Sequence, residues 1–373
     1  AIDHNIQVKQ QTIQTKVQKN ALNQSKLDLL PVLNGQVSHD YSFGRALDQN
    51  TYTFYNQTVQ QDYFYFGGRT NVFSGMQNIN TIQKYKYELL AGEQDLRRIR
   101  DNVSLSVAMA YLQILLNREL VTANENQLNI TLQQIEKSRK LVDAGSVARG
   151  NLLQIEAQAA QEELSLITMK NQLEISYLNL TQLLELETPA GFEIEVPDIN
   201  VEQNSVITGN VEEIFSLALQ TRPEIKSSEL KLTASEYDLR IAKGGRFPSI
   251  SLSHTFGTRY SYIKDNPGLQ PFEEQLKNNK NYGLGLSLSI PVLNGWQVNK
   301  NISNSKINIE NYRYTLESQK KTLYKNIQQA YADAVAALKK YSASMKAVTS
   351  MEESFRYTEQ KFNQGMVTPV DYN

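Results

Sequence analysis

The side chains that most often build reactive or metal-binding centres are sparse in this sequence. Its 373 residues include no cysteine, which excludes disulfides, thiolate catalysis and cysteine-ligated metal sites. The three histidines, His4, His39 and His254, lie far apart in the chain and form no ligand cluster. No nucleophile–base pairing, phosphate-binding loop or metal-ligand spacing is present. The sequence therefore predicts neither an enzyme nor a cofactor.

Charge and hydropathy exclude two further classes. The 38 basic residues nearly balance the 39 acidic ones, so a nucleic-acid partner is not indicated. No apolar run approaches the roughly 18 residues of a membrane-spanning helix. The many Gln, Asn, Ser and Tyr residues, with only 9 prolines, are typical of long helices with narrow apolar seams.

One short motif occurs twice, as "VFSGMQ" at 72–77 and as "VLNGWQ" at 292–297, and the same offset of 220 relates Gly145 to Gly365. An offset of 217 relates Pro31 to Pro248 further upstream. The chain is therefore predicted to contain two tandem copies of one unit. We assign the copies to residues 1–187 and 218–373, and a connector to residues 188–217.

The second half of each copy carries a heptad pattern typical of a coiled-coil seam. In the first copy apolar residues recur every seventh position, at Val107, Ile114, Val121, Leu128, Ile135 and Val142. The positions 220 further on are also apolar: Ile327, Ala334, Tyr341, Val348, Phe355 and Phe362. An uninterrupted helix over 74–142 would be about 100 Å long. A second long helix is predicted over 296–363.

The first long helix is predicted to turn back on itself. Gly145 can take the left-handed conformation that ends a helix. A new heptad line follows it at Leu152, Ala159, Leu166, Leu173 and Leu180. Residues 74–187 are thus expected to form an antiparallel helical hairpin. The second copy reaches the same turn at 363–373, and we expect its return helix to follow residue 373, as we expect chain to precede residue 1.

Residues 249–262 and 281–292 alternate apolar side chains with Ser, Gly or Asn, and 35–44 and 62–73 show a fainter version. Strands of this length suit a membrane β-barrel better than a soluble sandwich. Four strands are too few to close a barrel, and open edges are not tolerated in lipid. Several copies are therefore expected to share one barrel. A soluble coiled-coil scaffold or adaptor is the alternative, although it has no use for such strands.

Several segments resemble the TolC family of bacterial outer-membrane efflux and secretion ducts. They are "ALQTRPEIKSSELKLTASEYDLRIAKGGRFPSISLS" (218–253), "LSIPVLNGWQ" (288–297), "VDAGSVARGNLL" (142–153) and "NQGMVTPVDYN" (363–373). The resemblance covers essentially the whole chain, in register with both copies. It implies a mainly α protein with a membrane β-barrel portion.

The resemblance further implies a homotrimer with a shared 12-stranded barrel in outer-membrane lipid and an α-helical tunnel in the periplasm. Such a duct performs no chemistry and needs no cofactor. It opens at its helical tip on docking to a periplasmic adaptor, and an inner-membrane pump of RND or ABC type supplies the energy. The transported substrate cannot be read from these residues.

The same resemblance implies adaptor contacts at two tip turns, formed by Gly145, Ser146, Val147, Gly365, Met366 and Val367. A purely structural interpretation stands beside this one, in which the glycines end their helices and the other side chains pack the bend. Asp371 matches a family position that helps to close the periplasmic end, where three carboxylates would form a ring. It could instead be a solvated or helix-capping residue. Asn151 is its counterpart in the first copy, where the family often has Asp.

Three further sets of residues receive structural interpretations. His39 and His254 are assigned to the lipid-facing side of their strands, near the membrane interface. Met76 and Trp296, which follow the two motif glycines, are expected to pack where barrel and tunnel meet. The basic cluster Arg97-Arg98-Arg100 is interpreted as a solvated helix face.

Overall fold

The computed structural model describes residues 2–47, 52, 54–188, 191–197, 209–264, 270–364 and 366–367. Its elements in chain order are α1 (Ile6–Leu27), β1 (Val32–Leu47), β2 (Phe54–Ser74), α2 (Gln77–Asp143), α3 (Arg149–Leu183), α4 (Val211–Thr221), α5 (Pro223–Gly244), β3 (Ser249–Ile263), α6 (Phe272–Asn278), β4 (Asn281–Ser289) and α7 (Gln297–Asn363). None of the described helices is long and apolar enough to cross a membrane.

Two compact units make up the chain. The hairpin unit comprises Ala1–Ile13, Gln94–Lys226 and Glu317–Asn373, and the sheet unit comprises Gln14–Glu93 and Ser227–Leu316. Each unit takes segments from both predicted copies, so these units are not the tandem repeats. The repeat division rests on sequence, and α4 begins inside the predicted connector.

Helices α2 and α3 form an antiparallel hairpin, as predicted. Lys170 reaches Glu125 at 2.8 Å, and Gln127 donates to Glu162 at 3.2 Å, so residue numbers rise along α2 as they fall along α3. The predicted heptad residues of both helices are buried or half-buried, and Ile114 is completely buried. Burial of this continuous apolar line is the main stabilisation available to so long a hairpin.

The matching line of α7 is covered only in part. Ile327 is half-buried, but Ala334, Tyr341 and Val348 are exposed, and the half-buried positions shift to a neighbouring face that includes Val335 and Leu338. Within the described chain, the heptad line of the second copy is thus less covered than that of the first. The physical reason is that burial needs a neighbour, and no described return helix follows α7 as α3 follows α2.

The four strands form one antiparallel sheet in the order β1-β2-β3-β4. They contain 16, 21, 15 and nine residues, so β1 and β2 extend beyond the predicted 35–44 and 62–73, whereas β4 ends three residues before 292. The additional residue pairs between β1 and β2 include polar side chains, so the alternation of apolar residues in the sequence did not indicate that the strands extend there. Among the described strands, the outer edges of β1 and β4 have no partner.

The register places most apolar side chains of β1, β3 and β4 on one face of the sheet, and Phe64 and Phe66 of β2 lie on the same face. Val37 lies opposite Phe64, Phe66 opposite Phe256, and Leu252 opposite Leu286. Because side chains alternate along a strand, these pairs define a common face. The opposite face carries Tyr63 and Tyr65 of β2 and otherwise mostly small or polar residues, including Asn34, Gln36, Ser38, Asp40, Ser42, Gln61, Ser251, Ser253, Thr255, Gly283, Gly285 and Ser287.

Within the sheet unit, α5 packs antiparallel against the first turns of α2. Lys84 forms an ion pair with Asp238 at 2.8 Å, and the rings of Tyr87 and Tyr237 stack with centroids 5.5 Å apart. Burial raises the pKa of the Glu88 carboxyl, and the Asp238 carboxylate adds to the effect while Lys84 opposes it. Burial lowers the pKa of Lys84, but the bond to Asp238 outweighs it and the net shift is upward.

Candidate functional sites at the helical tip and on the sheet

The first tip turn is closed by backbone hydrogen bonds of the Schellman type. Gly145 N–H donates to Val142 O and Ser146 N–H donates to Leu141 O, both at 2.9 Å. Gly145 has a φ of +70°, which an L side chain adopts only at a cost. No heavy atom of the described residues lies within 4 Å of the position a Cβ would take there. The structural role predicted for Gly145 is thus present, on an open surface.

The rest of this turn divides into an exposed part and an anchored part. Ser146 is exposed, whereas Val147 is half-buried beneath the bend. Ala148 caps α3 in an extended conformation but provides no side-chain hydrogen bond. Asn151 lies exposed in the first turn of α3, and its N–H donates to Ala148 O at 3.0 Å. The turn therefore exposes small polar groups, Ser146 and Asn151, to which a partner could bind, and Val147 is the half-buried apolar side chain beside them.

The second tip turn repeats the part of this pattern that the structure describes. Met366 N–H donates to Lys361 O at 2.9 Å, which is the equivalent of the bond between Ser146 and Leu141. Met366 is 70% exposed and Val367 is half-buried. Their counterparts in the first turn, Ser146 and Val147, are likewise exposed and half-buried. Gly365 and Asp371 lie outside the described residues.

Ion pairs and hydrogen bonds join the two helices below the first turn. Arg139 lies 3.6 Å from Glu136 and 3.5 Å from Glu156 on the facing helix. Burial opposes ionisation of Glu162, but hydrogen bonds, including one from Gln158, lower the pKa of this carboxyl overall. The Glu162 carboxylate therefore stays charged at neutral pH, and the hairpin reaches its tip as a cross-linked pair of helices.

The apolar face of the sheet contains one ionisable pair that the sequence analysis missed. His39 lies opposite Asp62 in the register, and its Nδ1 contacts the Asp62 carboxylate. Gln60 donates to the same carboxylate at 3.3 Å and accepts from the Tyr41 hydroxyl at 3.2 Å. The sequence pattern assigned His39 to this face correctly, but only the pairing of β1 with β2 shows which carboxylate it meets.

Helix α6 covers the part of the β3 edge that β4 does not reach. The Gln275 side chain accepts from Ser261 N–H at 2.9 Å and donates to Ser261 O at 3.0 Å, as a neighbouring strand would. Asn279 donates to Arg259 O at 2.8 Å one rung away. Sequence alone did not predict this edge protection, because nothing in the residues around Gln275 indicates which strand it meets.

Met76 and Trp296, which were expected to pack where barrel and tunnel meet, are exposed within the described chain. They are 57% and 75% exposed. Each follows a glycine of positive φ and itself has a positive φ, +63° for Met76 and +65° for Trp296. This left-handed pair of residues turns the chain sharply between strand and helix, so the bulky side chain is directed away from the packed elements and stays exposed.

Comparison with known proteins shows the family. The sequence model of the family described as "Outer membrane efflux protein" matches residues 1–185 and 214–373. Outer membrane protein TolC of Salmonella enteritidis is 22% identical over 289 residues, which is 76% of this chain and 57% of that protein. TolC of Escherichia coli K12 is 21% identical over 291 residues. The chain thus spans less than two thirds of the length of these relatives.

Solved structures share the fold. The outer membrane protein VceC from Vibrio cholerae superposes with a TM-score of 0.81 at 17% identity, covering 100% of this chain and 86% of that one. The MtrE outer membrane channel of Neisseria gonorrhoeae, solved in its open state, gives a TM-score of 0.73 at 15% identity, covering 100% and 79%.

Proposed function

The chain belongs to the Outer membrane efflux protein family, and we propose that it works as a passive export duct in the bacterial outer membrane. In this proposal, three copies share one barrel of twelve strands, and their helices form a tunnel in the periplasm. The duct catalyses no reaction. It forms the outer-membrane part of a tripartite efflux pump or of a type I secretion system.

The observation that carries this proposal is the sheet with two different faces. Its mostly apolar face suits lipid and its mostly polar face suits a water-filled lumen. The unpaired edges of β1 and β4 would be costly in lipid unless another strand met them. Three copies of a four-stranded sheet supply twelve strands, above the roughly eight needed to enclose an interior. A soluble scaffold would gain nothing from this arrangement.

The tip turns are the proposed contact with the periplasmic adaptor. Ser146 and Met366 present exposed side chains at equivalent positions, and Val147 and Val367 anchor the bends below them. Gly145 and Gly365 are proposed to set the shape of the two turns. An inner-membrane pump of RND or ABC type would act through the adaptor.

Asp371 and Asn151 are the proposed gate positions at the periplasmic end. Three Asp371 carboxylates around one axis would attract cations and repel anions. Asn151 would contribute three polar but uncharged groups, so the charge of the constriction would come from Asp371.

Particle mass and conductance test this proposal. The full-length protein would be extracted from the outer-membrane fraction in mild detergent and its mass measured by light scattering. We expect a trimer that conducts ions in a planar bilayer, and we expect Asp371→Asn to reduce cation selectivity without changing the mass. A monomer or dimer that is soluble without detergent would refute the duct and support the scaffold.

A further inference from the structure

An open cavity lies where α2 passes the joint between α4 and α5. Its volume is about 390 Å³, which is within the range of pockets that bind small molecules. The cavity is lined by Arg97, Arg100, Asp101, Thr221, Arg222 and Pro223. Three guanidinium groups and the carboxylate of Asp101 therefore border the same space.

Two local features of the sequence place these charges together. Arg97, Arg100 and Asp101 are spaced by three and four residues, so they lie on one face of α2. Arg222 precedes Pro223, and a proline ring favours an extended conformation in the residue before it. Accordingly, the φ of Arg222 is −71° and its ψ is 127°. Helix α4 therefore ends here and α5 begins at Pro223, with the Arg222 side chain at the joint.

Ion pairing within the chain leaves these groups largely unused. Arg97 and Arg100 are exposed, and neither forms an ion pair with another residue that the structure describes. The Asp101 carboxylate is also exposed and has no hydrogen-bond or ion-pair partner in the described part of the chain. Arg222 Nε lies 3.6 Å from Glu224 Oε1, and a pair this open to solvent contributes little stability. The cavity thus presents its charges to a ligand.

The repeat shows that the fold does not require an arginine at the position of Arg222. The 217-residue offset places Asn5 there in the first copy. The Asn5 side chain accepts from Gln7 N–H at 2.9 Å, at the start of α1. A short polar residue is therefore sufficient to begin this helix, and the guanidinium of Arg222 needs another explanation.

The corresponding positions of the long helices differ as well. Arg97 corresponds to Glu317 at the 220-residue offset. Asp101 corresponds to Lys321, which pairs with Glu317 at 2.6 Å. At these two positions the second copy satisfies its charges within one helix, whereas the first copy leaves them open to the cavity.

The combination of charges indicates what the cavity binds. A guanidinium group can donate two parallel hydrogen bonds to a carboxylate or a phosphate. The carboxylate of Asp101 repels a simple anion but attracts an ammonium group. A ligand that carries carboxylates and a free amine satisfies both kinds of group. Because guanidinium groups are in excess, the cavity favours a ligand with more carboxylates than amines.

We propose that this cavity binds the peptides of the bacterial cell wall, which carry free carboxylates and a free amine. The guanidinium groups of Arg97, Arg100 and Arg222 bind the carboxylates, and Asp101 accepts hydrogen bonds from the amine. The inference rests on the proposed function, because a tunnel in the periplasm passes through the cell wall. Binding at this cavity anchors the tunnel to the wall.

Co-sedimentation with purified cell-wall sacculi tests the site. The full-length protein in mild detergent is expected to sediment with sacculi, and a soluble wall tripeptide that ends in diaminopimelate should release it. Arg100→Gln should weaken retention about 5-fold, the loss expected for one exposed charged pair. The matched control is Arg118→Gln, which removes an exposed arginine of α2 that does not line the cavity. This control should leave retention unchanged.

Asp101→Asn tests the role of the amine. For the native protein, acetylation of the diaminopimelate amine should weaken competition by the tripeptide about 5-fold. For Asp101→Asn, the free and the acetylated tripeptide should compete equally. A difference that persists in Asp101→Asn would overturn the role assigned to Asp101.

Equal retention of Arg100→Gln and the native protein would overturn the site. Equal losses in Arg100→Gln and Arg118→Gln would show only a general attraction between charges and would also overturn it. Competition by sodium phosphate as strong as that by the tripeptide would overturn the choice of ligand. Binding of the soluble tripeptide without sedimentation would overturn the wall as its source. None of these results changes the mass or conductance of the trimer, whereas a monomeric mass for the native chain would refute the duct itself.

Discussion

Replacing Gly145 by alanine tests whether backbone conformation shapes the first tip turn. Gly145 has a φ of +70°, and a Cβ there would meet no heavy atom within 4 Å in the part of the chain that the structure describes. Steric clash with the rest of the protein therefore adds nothing, and the cost is that of a left-handed L-residue, about 1–2 kcal/mol. A cost of this size would make local opening of the turn roughly 5- to 30-fold more frequent.

Amide hydrogen exchange of the assembled protein measures this opening directly. The Ser146 amide reports on the turn, because its hydrogen bond to Leu141 O closes it. The matched control is Gly150→Ala, five residues away in the first turn of α3, where the backbone is helical and the Cβ position is equally open. This control should leave exchange unchanged or slow it, with a gain of up to about 1 kcal/mol.

The two substitutions thus have the same chemistry and opposite expected signs. Unchanged exchange at Ser146 in Gly145→Ala would refute the argument from the left-handed conformation. An equal increase in the exchange rate of the Ser146 amide in both variants would show that any added methyl group disturbs the tip. That result would also contradict the argument from the left-handed conformation. Adaptor binding measured on the same pair would then show whether the shape of the turn matters for docking.

Three further substitutions test the hairpin, the α2–α5 contact and the sheet. Ile114→Ala in the buried seam should cost about 2–5 kcal/mol and lower the apparent Tm, while Glu119→Ala on the exposed side of α2 should change stability by less than about 0.5 kcal/mol. Because burial raises the pKa of Glu88, the folded state holds this proton more tightly than the unfolded state, and stability falls as pH rises through 4.5 and the raised pKa. At pH values well above 4.5, Glu88→Gln should therefore raise the apparent Tm, and below pH 4.5 it should leave the apparent Tm unchanged. An equal effect in both pH ranges would exclude titration as the cause. Leu286→Lys on the apolar face should cost about 2–4 kcal/mol in lipid and reduce trimer yield, whereas Ser287→Lys on the opposite face should keep the trimer and shift ion selectivity. Equal loss of trimer in both would contradict the assignment of the two faces.

Much of the fold could be predicted from the sequence, because its elements depend on local periodicity. The heptad line through Ile114 predicted the first hairpin, and Gly145 predicted the turn, because a seven-residue apolar repeat and a left-handed glycine have few alternative structures. Alternation in 249–262 predicted a strand with two faces for the same reason. Such signals act over a few residues and need no knowledge of distant neighbours.

The candidate site was predictable only in part. The positions of the tip turns followed from the repeat, and Val147 and Val367 are half-buried there. The roles of the tip residues toward an adaptor, and of Asp371 as a gate, stay predictions, because they depend on a partner and on residues outside the described chain.

The sequence by itself determined the chemistry that this protein lacks, the two long helices, the alternating strands and the repetition of one unit. Only the tertiary structure decided which side chains meet across long separations. It paired His39 with Asp62, set Gln275 against the β3 edge, and placed Gly75 and Gln77 against the end of α5. The reason is that periodicity specifies which face of an element is apolar, whereas register and packing depend on neighbours tens to hundreds of residues away, which no local pattern encodes.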